Sequence, residues 1–231
     1  MGAVNIVFVL PRGADAGIPL FRDLIAPVRN PGDRVEFWLP GAVPESLPPF
    51  WCPLPHTVIC GGADIRDIRH TGTCLRWLEA LCGERRPDII LFPGTLAGHE
   101  LGTRLGARLR RDCFPETRAL LRDGDRLFVR RKVCGSNLDL DVEIREYPVI
   151  VTVTGKQTVQ DGGERGSPQV ETRPMTLSLP EWLLDYGQSG PLPGNPLETA
   201  PLIFAAGRGL GSGAACDRLR RVAGRFGAPL G

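Results

Sequence analysis

Asp88-Ile89-Ile90-Leu91-Phe92-Pro93-Gly94-Thr95 decides the fold. An unbroken apolar run between an acidic residue and a Pro-Gly turn has the length and content of a strand buried on both faces. The turn leads into a helical pattern over residues 100–111, and a strand running straight into a helix is half of a βαβ unit. Upstream, Asn5-Ile6-Val7-Phe8-Val9-Leu10 is a second apolar run, closed by Pro11 and Gly13. Leu20, Leu24 and Ile25 predict a helix over 18–28, which Asn30-Pro31-Gly32 stops. Residues 34–39 and 57–60 predict further strands, and Leu75, Leu78 and Leu81 mark an amphipathic helix over 71–82. Six prolines over 40–55 make that stretch a surface excursion. Strands alternating with helices predict an α/β fold, a parallel sheet with flanking helices.

The pattern changes after Cys113. Residues 117–122 and 127–132 flank Asp123-Gly124-Asp125 and predict a hairpin, with 142–144 and 149–153 as additional strands. Residues 1–156 are therefore expected to form one α/β domain, its parallel sheet joined by antiparallel strands. Residues 157–199, dominated by Gly, Pro, Ser, Glu and Asp, predict a linker whose apolar island over 177–184 suits a docked helix. Residues 200–231 predict one βα unit: a strand over 201–206, the turn Gly207-Arg208-Gly209-Leu210-Gly211-Ser212-Gly213, and a helix over 214–226. One such unit has no second layer and is expected to be an incomplete domain.

Composition excludes several classes of function. The chain has 231 residues, 42% hydrophobic and 23% charged, which marks a folded globular protein rather than a disordered one. Its formal charge is only +2, too balanced to draw a nucleic acid, so no nucleic-acid partner is expected. No apolar run nears the roughly 18 to 20 residues that cross a bilayer, and the start lacks a basic leader, so the expectation is a cytoplasmic protein without membrane insertion. All basic residues but Lys132 and Lys156 are arginine, a skew read as codon composition rather than function. The seven cysteines show no metal-binding spacing and read as reduced, mostly buried thiols.

The glycine turn at 207–213 carries the strongest chemical signal. A strand, a glycine turn and a helix together direct backbone N–H groups and the positive helix end at an anion, and Arg208 adds a charge. Gly209-Leu210-Gly211-Ser212-Gly213-Ala214 fits the loose form G-x-G-x-x-A, although the glycines could equally serve a tight turn alone. The second turn, 93–100, could receive a phosphate at the sheet's carboxyl edge or could let strand and helix pack closely. His99 beside Glu100 reads as a surface or capping pair rather than an acid–base pair. Asp139 and Asp141 share one face of a possible strand without other metal ligands, so no catalytic centre and no metal site are expected.

Three blocks, in order, carry a family resemblance. The first is Pro87–Thr95 with Gly98-His99-Glu100-Leu101-Gly102-Thr103-Arg104-Leu105-Gly106-Ala107-Arg108-Leu109. The second is Arg131-Lys132-Val133-Cys134-Gly135-Ser136-Asn137, and the third Ile203-Phe204-Ala205-Ala206-Gly207-Arg208-Gly209-Leu210-Gly211-Ser212. Together they resemble the α subunit of electron transfer flavoprotein, the FixB-like family. Departures are His99 and Glu100 for an arginine and an aspartate, Ser136 for a glycine, and Thr154-Gly155 for an arginine and a proline. The family's further flavin-holding segments have no counterpart within these residues, so the resemblance implies a truncated flavin domain.

The resemblance implies an N-terminal fold related to adenine-nucleotide-binding proteins and a heterodimer with an electron transfer flavoprotein β subunit. It implies FAD as cofactor, with Arg208 against the flavin and Gly207 and Gly209 admitting it closely. It further implies electron transfer between a dehydrogenase donor and a quinone-reducing acceptor, an electron carrier rather than an enzyme with its own substrate. The alternative is a non-redox nucleotide-binding or docking module that has lost FAD binding.

Overall fold

The computed structural model describes residues 4–11, 24–25, 27–30, 32–42, 57–63, 70–135, 137–154, 168–176, 181, 197 and 200–231. The chain divides into two compact units, residues 1–183 and 184–231.

The first unit is built on a nine-stranded sheet. Its strands are β1 (Asn5–Val9), β2 (Arg34–Gly41), β3 (Thr57–Ala63), β4 (Ile89–Pro93), β5 (Cys113–Asp123), β6 (Arg126–Val133), β7 (Leu138–Glu143), β8 (Val149–Val153) and β9 (Gln169–Thr172). They lie in the order β7-β6-β5-β8-β4-β1-β2-β3-β9. From β5 to β9 all neighbours run parallel, and β6 and β7 extend the sheet as an antiparallel meander. The fold is therefore mixed α/β with a mostly parallel sheet. Two helices, α1 (Thr71–Arg85) and α2 (Leu96–Leu109), connect its strands.

Burial on both faces accounts for the continuous apolar runs. Along β1 the side chains alternate: Ile6 and Phe8 join a cluster with Phe37, Leu91, Val151 and Ile25. Val7 and Val9 join the opposite cluster, where Trp38, Ile90 and Phe92 meet Leu75, Leu78 and Leu81 of α1 and Leu101 and Leu105 of α2. Capping fixes where the helices begin. The His70 side chain accepts from Thr73 N ahead of α1, and Thr95 Oγ1 accepts from Gly98 N at 3.2 Å ahead of α2. Both helices end on a left-handed arginine, Arg86 and Arg110.

Two features of the first unit differ from the sequence expectation. Val149–Val153 does not follow the antiparallel strands outward but returns to the parallel sheet between β4 and β5. Every residue of it is buried, and only an interior position covers both faces of such a strand. Within the stretch expected to be linker, Gln169–Thr172 adds β9 beside β3. Its mostly exposed side chains, with Val170 the single apolar one, leave no apolar pattern, because backbone pairing with β3 rather than burial of the strand places it there. Leu24 and Ile25 are helical, as the pattern over 18–28 predicts, but Pro27 and Val28 already form a turn; residues 18–23 and 26 lie outside the described residues, as do residues 43–55 of the proline-rich excursion. The apolar island over 177–184 also lies outside them, apart from Glu181.

In the second unit, helix α3 (Gly213–Arg225) stands close to the predicted span, but residues 201–206 do not form a full strand. They make one parallel bridge, Phe204 with Leu230. The bridge is a short ladder: Phe204 N donates to Pro229 O at 3.1 Å, Gly231 N to Phe204 O at 2.8 Å, and Ala206 N to Gly231 O at 2.8 Å. The expected βα unit is thus closed by a single parallel bridge to the segment that follows α3, without a full strand on either side. Phe204 also meets Phe226 across 5.8 Å between ring centres, tying the ladder to the end of α3. Among the described residues no helix is long and apolar enough to cross a membrane.

Candidate functional site

Two glycine turns, each leading into a helix, were the candidates from sequence. The first joins β4 to α2 at the carboxyl edge of the parallel sheet. A Cβ built on Gly98 would stand 1.9 Å from Pro93 O, and one on Gly94 would stand 2.5 Å from Val153 O. At Gly102 it would meet Phe92 and Thr152 side chains at 3.2 Å. These glycines are absent side chains that let α2 lie directly on β4 and β8. Of the two readings left open for this turn, close packing accounts for them without a ligand.

His99 and Glu100 sit in this turn's helix and face different partners. His99 Nδ1 lies 2.8 Å from Thr152 Oγ1, which also accepts from Glu116 N at 3.1 Å. Glu100 accepts from Thr71 Oγ1 at 3.1 Å and pairs with Arg104 at 3.3 Å. One side chain fastens α2 to the sheet and the other fastens it to α1. The expected surface or capping role fits exposed Glu100 but not His99, which is half-buried against Thr152 while Thr95 caps the helix, and the two share no acid–base site.

The second turn, in the second unit, has the opposite character. A single 3-10 turn, Arg208–Leu210, follows Gly207, which is extended at φ −91° and ψ 170°. Leu210 N donates to Gly207 O at 3.1 Å and Ser212 N to Leu210 O at 2.8 Å. Ser212 Oγ then accepts from Ala215 N at 3.3 Å, capping α3. Only Gly211, at φ 69°, has a backbone that requires glycine. A Cβ on Gly207, Gly209 or Gly213 would meet no described atom within 4 Å. Arg208 is exposed and, among the described residues, forms no ion pair. Gly207, Arg208 and Gly209 thus line an exposed backbone surface beside a helix N-terminus, with no described residue packed against it.

The remaining candidates are occupied. Asp139 pairs with Lys132 Nζ at 3.0 Å, and Asp141 accepts two hydrogen bonds from Arg130, at 2.7 and 2.6 Å. The Arg130 hydrogen bonds hold the Asp141 carboxyl below the usual range. Among the described residues no group of three or more His, Cys, Asp and Glu side chains could hold a metal ion. Cys60, Cys74 and Cys82 are buried, Cys113 and Cys216 half-buried and Cys134 exposed, all free thiols; Cys52 lies outside the described residues. Burial pushes Cys60, Cys74 and Cys113 up to about 11 and Cys82 up to about 12, so these are protonated packing groups rather than nucleophiles.

One surface was missed in the sequence. Strand β7 is a sheet edge, and Leu138 and Leu140 on its apolar face are 57% and 44% exposed. The alternation Leu138-Asp139-Leu140-Asp141-Val142-Glu143 was the available signal. Among the described residues this edge has no further strand beside it, and its exposed leucines alternate with Asp139 and Asp141, which pair with Lys132 and Arg130 of β6. Comparison of the sequence with protein-family models and with curated proteins finds no match in either.

Proposed function

We propose that this chain acts as an electron transfer flavoprotein α-type subunit, carrying electrons through FAD together with a β-type partner. The observation that carries the reading is the turn 207–209, where two glycines with no described atom near their missing side chains flank an exposed arginine that has no ion-pair partner among the described residues. Bound there, FAD would supply reversible electron uptake and release. Gly207 and Gly209 would let the cofactor approach the backbone without a Cβ in the way. Arg208 would hold a permanent positive charge against it, favouring its more negative, reduced forms. The N-terminus of α3, capped by Ser212, would add a partial positive charge on the same side for a phosphate group.

In this reading the first unit is an adenine-nucleotide-binding-like domain that serves chiefly as a scaffold. Its β7 edge, with Leu138 and Leu140 outward, is the surface offered to the β-type partner. A dehydrogenase would supply the electrons and a quinone-reducing protein accept them. The test is co-purification of the chain with a β-type subunit, followed by release and identification of any bound cofactor. FAD in near-stoichiometric amount supports the reading. An adenine nucleotide without flavin would support the alternative, a non-redox nucleotide-binding module formed by the first unit.

A further inference from the structure

The charge balance of the whole chain is not shared by its second unit. Residues 200–231 carry five arginines against one acidic side chain, Asp217, and four of the five stand on α3. Asp185 and Glu198, the unit's other acidic residues, lie outside the described residues. Asp217 pairs with Arg220 one turn along the helix. Arg218, Arg221 and Arg225 are exposed and form no ion pair among the described residues. Spaced three and four residues apart, they follow one side of α3 over about 10 Å. The helix dipole accounts for Arg225 in the last turn but not for Arg218 and Arg221. Arginines of the first unit such as Arg104, Arg108 and Arg130 each face a carboxylate, so an abundance of arginine does not by itself leave a row unpaired.

Apolar side chains accompany the row. Half of the large exposed apolar residues among those described fall in this short unit: Leu202, Ile203, Val222 and Phe226. Val222, 40% exposed, stands one turn from both Arg218 and Arg225, and Phe226, 66% exposed, follows one turn later. Ala223 is the only buried residue of α3, so the helix presents most of its surface to the outside. A cationic row flush with exposed apolar side chains suits a lipid headgroup layer. Guanidinium groups reach the phosphates while their stems and the apolar side chains enter the outer edge of the layer. A partner that offered negative charge alone would leave Val222 and Phe226 in water. No described helix can cross a bilayer, so the contact is with the surface.

We propose that α3 docks the second unit on an anionic lipid surface, through Arg218, Arg221 and Arg225 with Val222 and Phe226 beside them. The inference does not depend on the flavin reading, since the row lies beyond the turn that holds Arg208 and its test reads no cofactor.

Flotation of the full chain with vesicles tests it. At about 0.1 M salt, where charges still act over about 10 Å, the chain should float with vesicles of phosphatidylglycerol mixed with phosphatidylcholine and stay behind with phosphatidylcholine alone. Arg218→Gln, Arg221→Gln and Arg225→Gln together should weaken that binding about a hundredfold, on the order of fivefold for each charge removed. Glutamine forms helix nearly as well as arginine, so the circular dichroism of the triple variant should match that of the native chain. Val222→Thr should weaken vesicle binding about threefold and leave retention on heparin unchanged, because only a lipid layer takes up the apolar side chain. Absence of binding to the anionic vesicles overturns the proposal, and so does binding that the triple substitution leaves unchanged. Vesicle binding that heparin displaces fully and that Val222→Thr does not alter would make the row a general polyanion site, and would overturn it as well.

Discussion

The turn 93–98 and the turn 207–213 are nearly interchangeable as sequence: each is a glycine-bearing segment between an apolar strand and a helix. In three dimensions they are opposites. Gly94, Gly98 and Gly102 are pressed against backbone and side chains that a single methyl group would strike, so their lack of a side chain is consumed by the fold. Gly207 and Gly209 stand clear of every described atom, and the arginine between them has no ion-pair partner there. A glycine turn thus acquires a meaning only from what surrounds it. Where the chain itself fills the space the glycine reports packing, and where it does not, the backbone is left open to solvent or to a ligand.

The largest effect that distinguishes the turns is on stability. Gly98→Ala forces a methyl group into Pro93 O and should destabilise the first unit by about 3 kcal/mol or more, read as a drop in the thermal or urea midpoint. Gly209→Ala should cost less than about 1 kcal/mol, since the new methyl meets open space. Equal losses at the two sites would erase the contrast. Gly211→Ala is the intermediate case: its φ of 69° should cost about 1 to 2 kcal/mol although nothing stands near the methyl.

Smaller again is a pH effect confined to the first unit. Burial raises the folded thiols of Cys60, Cys74 and Cys82 above their ordinary value of 9.0, to about 11, 11 and 12. Above pH 9 the unfolded chain releases these protons while the folded one retains them, so stability is full below about 9 and falls as pH rises toward 11 to 12. Urea midpoints of the first unit between pH 8 and 10.5 should decline, and a flat profile would mean that the thiols are not held in the core. In the native protein at pH 8, exposed Cys134 should react with a thiol reagent well before the buried three.

The parallel sheet was legible because its strands are buried on both faces. Runs such as Ile89–Phe92 and Val149–Val153 admit few other readings, although the place of β8 between β4 and β5 depends on a pairing over long sequence separation. Strand β9 was not legible, since its four residues carry no hydrophobic period and it exists through its neighbour's backbone and through Arg85. The return segment 228–231 escaped notice for the same reason: its pairing with Phe204 spans the whole of α3. At the candidate site the sequence located Gly207, Arg208 and Gly209 as a possible anion turn. Their separation from the packing glycines of the first turn required distances.

The most direct test of the central claim is the visible absorption spectrum of the chain co-purified with a β-type subunit, recorded for the native sequence and for Arg208→Ala. The account predicts a flavin spectrum that weakens strongly in the variant, while the thermal midpoint moves little because Arg208 is exposed and has no ion-pair partner among the described residues. A spectrum without flavin in the native pair, or one that Arg208→Ala leaves unchanged, would contradict it.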